Sequence, residues 1–199
     1  MIIELCGLPG VGKTTLALQL EKRGHCQIVR VSGKLNIVYY LLKGFLKRPK
    51  LYYQGLRWCL RHDMSRYYTW NFFCIRYAKL QKALEMKKKC AILDEGPLSN
   101  IMSYSHHVHD AEDLSYFSDY AKLIDRVVCI SLTESDRQTQ IYKRDAGKTF
   151  ARVQANDLRE RYMQNNMTYT EVVCRQHSKG RVVASSEELE PDFASISSV

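Results

Sequence analysis

Glycine spacing close to the amino terminus constrains this chain more than any other feature. The run Gly7-Leu8-Pro9-Gly10-Val11-Gly12-Lys13-Thr14 fits the pattern G-x-x-x-x-G-K-[ST] at every defined position. The pattern has a geometric cause: glycines let the backbone fold around an anion without side-chain collision, so that successive N–H groups point inward. A helix that starts at the end of such a loop adds its positive dipole end. The flanks supply the required context. Ile2-Ile3-Glu4-Leu5-Cys6 reads as a short buried strand, and Thr15-Leu16-Ala17-Leu18-Gln19-Leu20-Glu21 as a helix with Leu16 and Leu20 one turn apart. Strand, glycine loop and helix in that order form a phosphate cradle. Gly7, Leu8, Pro9, Gly10, Val11, Gly12, Lys13, Thr14 and Thr15 are its expected binding residues. Lys13 can reach β- and γ-phosphates, and the Thr14 hydroxyl can ligate Mg²⁺.

A chain of 199 residues suffices for one well-buried domain. The expectation is a single domain over residues 1–185 and a frayed tail over 186–199. Hydrophobic content of 45% and charged content of 26% argue against global disorder. No run of 18 apolar residues occurs, so no transmembrane helix is expected. The first residues read as a strand at once, so no signal peptide is expected. The seven cysteines include no C-x-x-C pair and mostly sit in apolar runs. They read as buried thiols of a cytoplasmic protein, not as a disulfide frame or a zinc site.

Along the chain, apolar runs at 26–31, 90–94, 126–132 and 181–184 read as further strands. Helical spacing covers 35–46, a second helix begins at Pro49, and a third runs from about 65 to 89. Trp70, Phe73, Tyr77, Leu80 and Leu84 mark the apolar face of that third helix. Helical segments are also expected at 98–108, 111–123, 134–144 and 150–176. Strands that alternate with helices imply an α/β architecture, a parallel sheet covered on both faces. Ligands of such sheets gather at the carboxyl ends of the strands.

Two more features fall on that edge. Asp94 and Glu95 end a buried strand. An Asp there can hold Mg²⁺, and a neighbouring carboxylate can accept a proton from an attacking hydroxyl. Arg137, Lys143, Arg144, Lys148 and Arg152 form a basic segment, 137–152, broken at Asp145-Ala146-Gly147. It is either a lid closing over a transferring phosphoryl group or a solvated face. Arg144, at the break, is the candidate catalytic cation.

The order of glycine loop, strand-terminal acid pair, basic segment and short final strand resembles the P-loop kinases of nucleosides and nucleotides, with thymidylate kinases and deoxynucleoside kinases the nearest named groups. Ile92-Leu93-Asp94-Glu95-Gly96-Pro97 stands where those families place Asp-Arg-Tyr or Glu-Arg-Ser. In Gln140-Ile141-Tyr142-Lys143-Arg144, only Arg144 matches their Arg-x-x-x-Arg. The resemblance implies a five-stranded parallel sheet, ATP with Mg²⁺ on Thr14 and Asp94, and an acceptor held between the second and third strands. It implies catalytic roles for Lys13, Asp94 and Arg144, while the residues themselves make Glu95 or Asp94 the candidate base for the acceptor hydroxyl. Two departures stand out: Glu95 replaces the arginine that follows the acid, and Val31-Ser32-Gly33-Lys34 carries no carboxylate at the end of the second strand.

Charge is unevenly spread over a net +9. Residues 34–89 hold 14 Lys/Arg against Asp63 and Glu85 alone. This segment, a helical insertion between strands 2 and 3, interleaves cations with Tyr39, Tyr40, Tyr52, Tyr53, Trp58, Tyr67, Tyr68 and Trp70. It suits an anionic small-molecule acceptor, nucleic acid, an anionic membrane surface or a packed subdomain with a basic rim. The aromatic helix 65–89 could supply a homodimer face. His106, His107 and His109 with Asp110 read as surface residues or as a metal cluster. Three functions remain open: a small-molecule kinase, a nucleotide-gated switch that binds nucleic acid or membrane, and a polynucleotide 5′-kinase.

Overall fold

The computed structural model describes residues 1–7, 10–24, 26–61, 66–86, 90–98, 119–130, 132–133, 135–136, 139 and 180–183; for 61, 66–72 and 180–183 it describes the backbone alone. Five strands form one parallel sheet. They are β1 (Ile2–Gly7), β2 (Gln27–Ile28), β3 (Ala91–Leu93), β4 (Arg126–Ile130) and β5 (Gly180–Val183), in the spatial order β2-β3-β1-β4-β5. β1 is central and all six of its residues are buried. Both of its faces are covered, so its apolar residues run on without alternation.

Helix α1 (Lys13–Lys22) follows the loop and buries Leu16, Ala17 and Leu20. Helix α2 (Lys34–Lys47) ends at Arg48, and Pro49 opens α3 (Pro49–Arg61). Proline suits a first helical position because the N–H it lacks would have no partner there. Helix α4 (Arg66–Glu85) carries Phe73, Tyr77 and Leu80 into the core, with Leu84 partly buried. These three helices pack at very short range. A Cβ on Gly44 would run into the Tyr52 ring, and one on Gly55 into Tyr77. The Tyr52 hydroxyl donates to the Tyr77 carbonyl at 2.9 Å. Trp58 is 4% exposed and is a core residue.

β2 is shorter than the run 26–31 suggests. It is an edge strand paired only with β3, and beyond Ile28 a single backbone bond, Val29 N–H to the Ile92 carbonyl, carries on the ladder. The expectation of thiols throughout is corrected. Cys26 and Cys90 form a disulfide. Each precedes the first residue of its strand, and the register Gln27↔Ala91 sets the pair side by side. With one pair oxidised, the cysteines no longer argue for a reducing compartment. Cys6, Cys59, Cys74 and Cys129 are buried thiols as expected. No described helix is long and apolar enough to cross a membrane. The helices expected at 98–108, 134–144 and 150–176, the lid 137–152, the histidine cluster and the tail lie wholly or mainly outside the described residues.

Candidate functional site

The register brings the loop and the acid pair together. Glu4 of β1 lies opposite Leu93 of β3, while Gly7 lies opposite Ile130 of β4. All strands are parallel, so the loop after Gly7 and the pair Asp94-Glu95 leave the same sheet edge from adjacent strands. β1 and β3 also flank the point where the chain reverses its direction of travel across the sheet. Ligands of open α/β sheets bind at such a crevice.

Backbone geometry explains the glycines at two positions. Gly7 has φ 141°, and a Cβ there would sit 2.5 Å from the Ile130 carbonyl oxygen. No other residue fits so close an approach of β1 to its neighbour β4. Gly12 has φ 88° and opens α1 in the left-handed region, with no side-chain cap. The first intrahelical bond runs from Leu16 N–H to the Gly12 carbonyl. The N–H groups of the first turn have no helical acceptor by construction, and this turn contains no acidic residue. Such a helix end is suited to an anion. Thr14 and Thr15 are exposed at its mouth. Leu8 and Pro9 lie outside the described residues.

Lys13 folds back over the loop, and its Nζ donates to the Gly7 carbonyl at 2.8 Å. Burial lowers its pKa from the ordinary lysine value, and the charge of Arg76 pushes the same way. Glu95 opposes the shift, as do Cys6 and Cys129. Lys13, Arg76 and Glu95 therefore feel one another's charge.

The acid pair is held from α4. Lys79 Nζ donates to Asp94 Oδ1 at 2.7 Å, and both side chains are mostly buried. Arg76, one turn earlier, is 4% exposed, and its guanidinium lies 3.8 Å from Glu95 Oε2. Glu95 is 52% exposed and opens to solvent. A separation of 3.8 Å is an ion pair without a hydrogen bond, so this carboxylate can turn toward a ligand. Beneath the turn, Glu4 is fully buried and accepts a hydrogen bond from the Tyr120 hydroxyl. A Cβ on Gly96 would lie 2.5 Å from the Glu4 carboxyl carbon. The acid turn is thus seated directly on β1.

Sequence reasoning singled out Lys13, Thr14, Asp94 and Glu95, and the structure gathers them at one edge. It missed Glu4, Arg76 and Lys79. Glu4 had a signal, as the lone charge in an apolar strand. Arg76 and Lys79 had only a spacing of three on a long basic helix. Arg144 lies outside the described residues. Hard oxygen donors suit Mg²⁺. The exposed Thr14 hydroxyl and the Asp94 carboxylate are donors of that kind, and Asp94 is held by Lys79. Among the described residues no group of three or more His, Cys, Asp or Glu could hold a metal.

No protein-family model matches the sequence, and no curated protein matches it. Solved structures do match over the full length. Deoxyadenosine kinase from M. mycoides with products dCMP and a flexible dCDP bound superposes with a TM-score of 0.56 at 15% identity, covering 100% of both chains. The same enzyme with bound dCTP gives 0.52 at 15%, again over 100% of both. With bound dATP it gives 0.52 at 17%, over 100% of this chain and 98% of that one. The chain therefore has the fold of the P-loop deoxynucleoside kinases.

Proposed function

We propose that this protein is an ATP-dependent kinase that moves the γ-phosphoryl group of ATP to a nucleoside, a nucleotide or a related small acceptor. One observation carries the reading: a glycine loop with its lysine and a strand-terminal acid pair meet at the carboxyl edge of a sheet built like that of deoxyadenosine kinases.

In this reading residues 7–15 cradle the phosphates of ATP. Lys13, already poised over the loop, leaves the Gly7 carbonyl for the β- and γ-phosphate oxygens. Burial disfavours its charge, and a polyphosphate would favour it. Thr14 and Asp94 would hold Mg²⁺, which supplies charge neutralisation on the phosphates when bound. Glu95, half exposed and only loosely paired, is the better placed of the two acids to take a proton from the acceptor hydroxyl; Asp94 is engaged by Lys79. Arg76 would stand in for the missing arginine after the acid, because α4 brings its guanidinium to 3.8 Å from Glu95. Arg144 would close the site over the transferring group. Charge transfer in such a reaction is stabilised mainly by fixed dipoles and cations, the kind of groups gathered here.

The test is label transfer from γ-labelled ATP to a panel of nucleosides, nucleotides and sugars. Labelled product formed only with an acceptor supports the kinase. Acceptor-independent hydrolysis, or labelling of oligonucleotide 5′-ends in preference to free nucleosides, contradicts it.

A further inference from the structure

Helix α2 turns an apolar stripe outward. Leu35, Val38, Tyr39, Leu42 and Leu46 are 87, 47, 53, 60 and 85% exposed. Their steps of three and four place them on one face, opposite the face through which Leu41 and Gly44 enter the core. Helix α3, which packs against α2, also exposes Tyr53 and Leu60, two turns apart and 62 and 68% exposed. Exposed apolar side chains in this number mark a contact with something other than water.

The charge around the stripe selects the partner. Residues 34–61 contain seven Lys/Arg and no Asp or Glu. Helical periodicity sets Lys34 along one flank of the α2 stripe and Lys43 along the other. On α3, Lys50 and Arg57 share the face of Tyr53 and Leu60. Neighbouring elements offer Glu85, which faces Lys43 and Lys47 from α4, and Asp119, which faces Lys50. Among the described residues these are the acids seen to face the segment's cations, and the segment's own composition of seven cations to no acid stays basic. A second copy of the same face would bring like charges together. Nucleic acid would meet the cations, but a mostly aliphatic stripe gives bases little to stack on.

We infer that α2 and α3 form a docking surface for an anionic lipid bilayer. The leucines and tyrosines enter the boundary between headgroups and acyl chains, and the lysines and arginines pair with the acidic headgroups. The stripe is amphipathic and no described helix spans a bilayer, so the helices lie on the membrane and do not cross it. This surface is separate from the kinase reading and survives its failure.

Flotation of the full chain with vesicles of phosphatidylcholine, with and without phosphatidylserine, tests the surface. The wild type floats with the phosphatidylserine vesicles and much less with the neutral ones, and high salt weakens the association. The double variant Leu42→Ser/Leu46→Ser loses at least about tenfold in vesicle affinity, because insertion scales with buried apolar area. Its melting temperature stays near wild type, since both side chains are exposed. Lys34→Glu/Lys50→Glu removes the preference for phosphatidylserine. Absence of flotation, or flotation that the serine variant leaves intact, overturns the inference. A dimer seen by sedimentation that the serine variant dissolves, without flotation, overturns it in favour of self-association.

Discussion

The two walls of the candidate site are made of different material. The wall after β1 is backbone: Gly7 close against the Ile130 carbonyl, Gly12 opening α1, and first-turn N–H groups aimed past the helix end. The wall after β3 is side chain: Asp94 and Glu95, held by Lys79 and Arg76 from α4. A backbone wall keeps its dipoles in place whether or not a ligand is present, so it has little to reorganise on binding. A side-chain wall can exchange partners. Lys79 can release Asp94, and the half-exposed Glu95, 3.8 Å from Arg76, can turn toward a ligand. Under the proposed kinase function, the first wall would grip the triphosphate, and the second would serve acceptor choice and proton removal.

The comparison can be broken first at Glu95. Glu95→Gln keeps the shape and removes the base, so transfer to the acceptor falls about a hundredfold or more while ATP binding is retained. An unchanged transfer rate in a quenched-flow or steady-state assay clears Glu95 of that role. Next comes Arg76→Met, which removes the cation of the second wall only. The acceptor KM rises about tenfold, with a smaller change in kcat and almost none in the KM for ATP. If the KM for ATP shifts as much as that for the acceptor, the division between walls fails. A third variant, Gly44→Ala, lies behind the second wall and outside both. It drives a methyl group into the Tyr52 ring and costs about 1–3 kcal/mol in urea unfolding, with kcat near wild type. The smallest effect on transfer comes from pH and the buried thiols. Burial pushes Cys59 up to about 12 from its ordinary 9.0. The unfolded thiol loses its proton above that ordinary value while the folded one keeps it. The thiol's contribution to stability is therefore complete below pH 9 and declines as pH rises toward 12. Cys59 should resist alkylation at pH 8 in the native protein and react after unfolding, as peptide mapping would record.

Legibility in the sequence followed the same division. The glycine loop could be read because its geometry depends on residues next to one another. The strands 91–93 and 126–130 could be read to within a residue or two because a strand buried on both faces shows as an apolar run. The start of α3 could be read because Pro49 both forbids a helix interior and suits a helix start. What depends on register could not be read. Cys26 and Cys90 stand 64 residues apart and meet only because β2 and β3 are neighbours. Arg76 and Lys79 look like any solvated pair until α4 is laid along β3. Glu4 is a buried carboxylate whose partner, Tyr120, is 116 residues away. The exposed stripe of α2 was read only as a helix, because periodicity shows that an apolar face exists and not which side of it meets the core.

Calorimetric titration of Mg²⁺-ATP into the wild type and into Lys13→Ala tests the first wall most directly. Saturable binding by the wild type, lost or weakened at least about a hundredfold in the variant, is the expected result. Absence of binding by the wild type, or equal binding by both proteins, would contradict the assignment of the glycine loop as the grip on the phosphate donor.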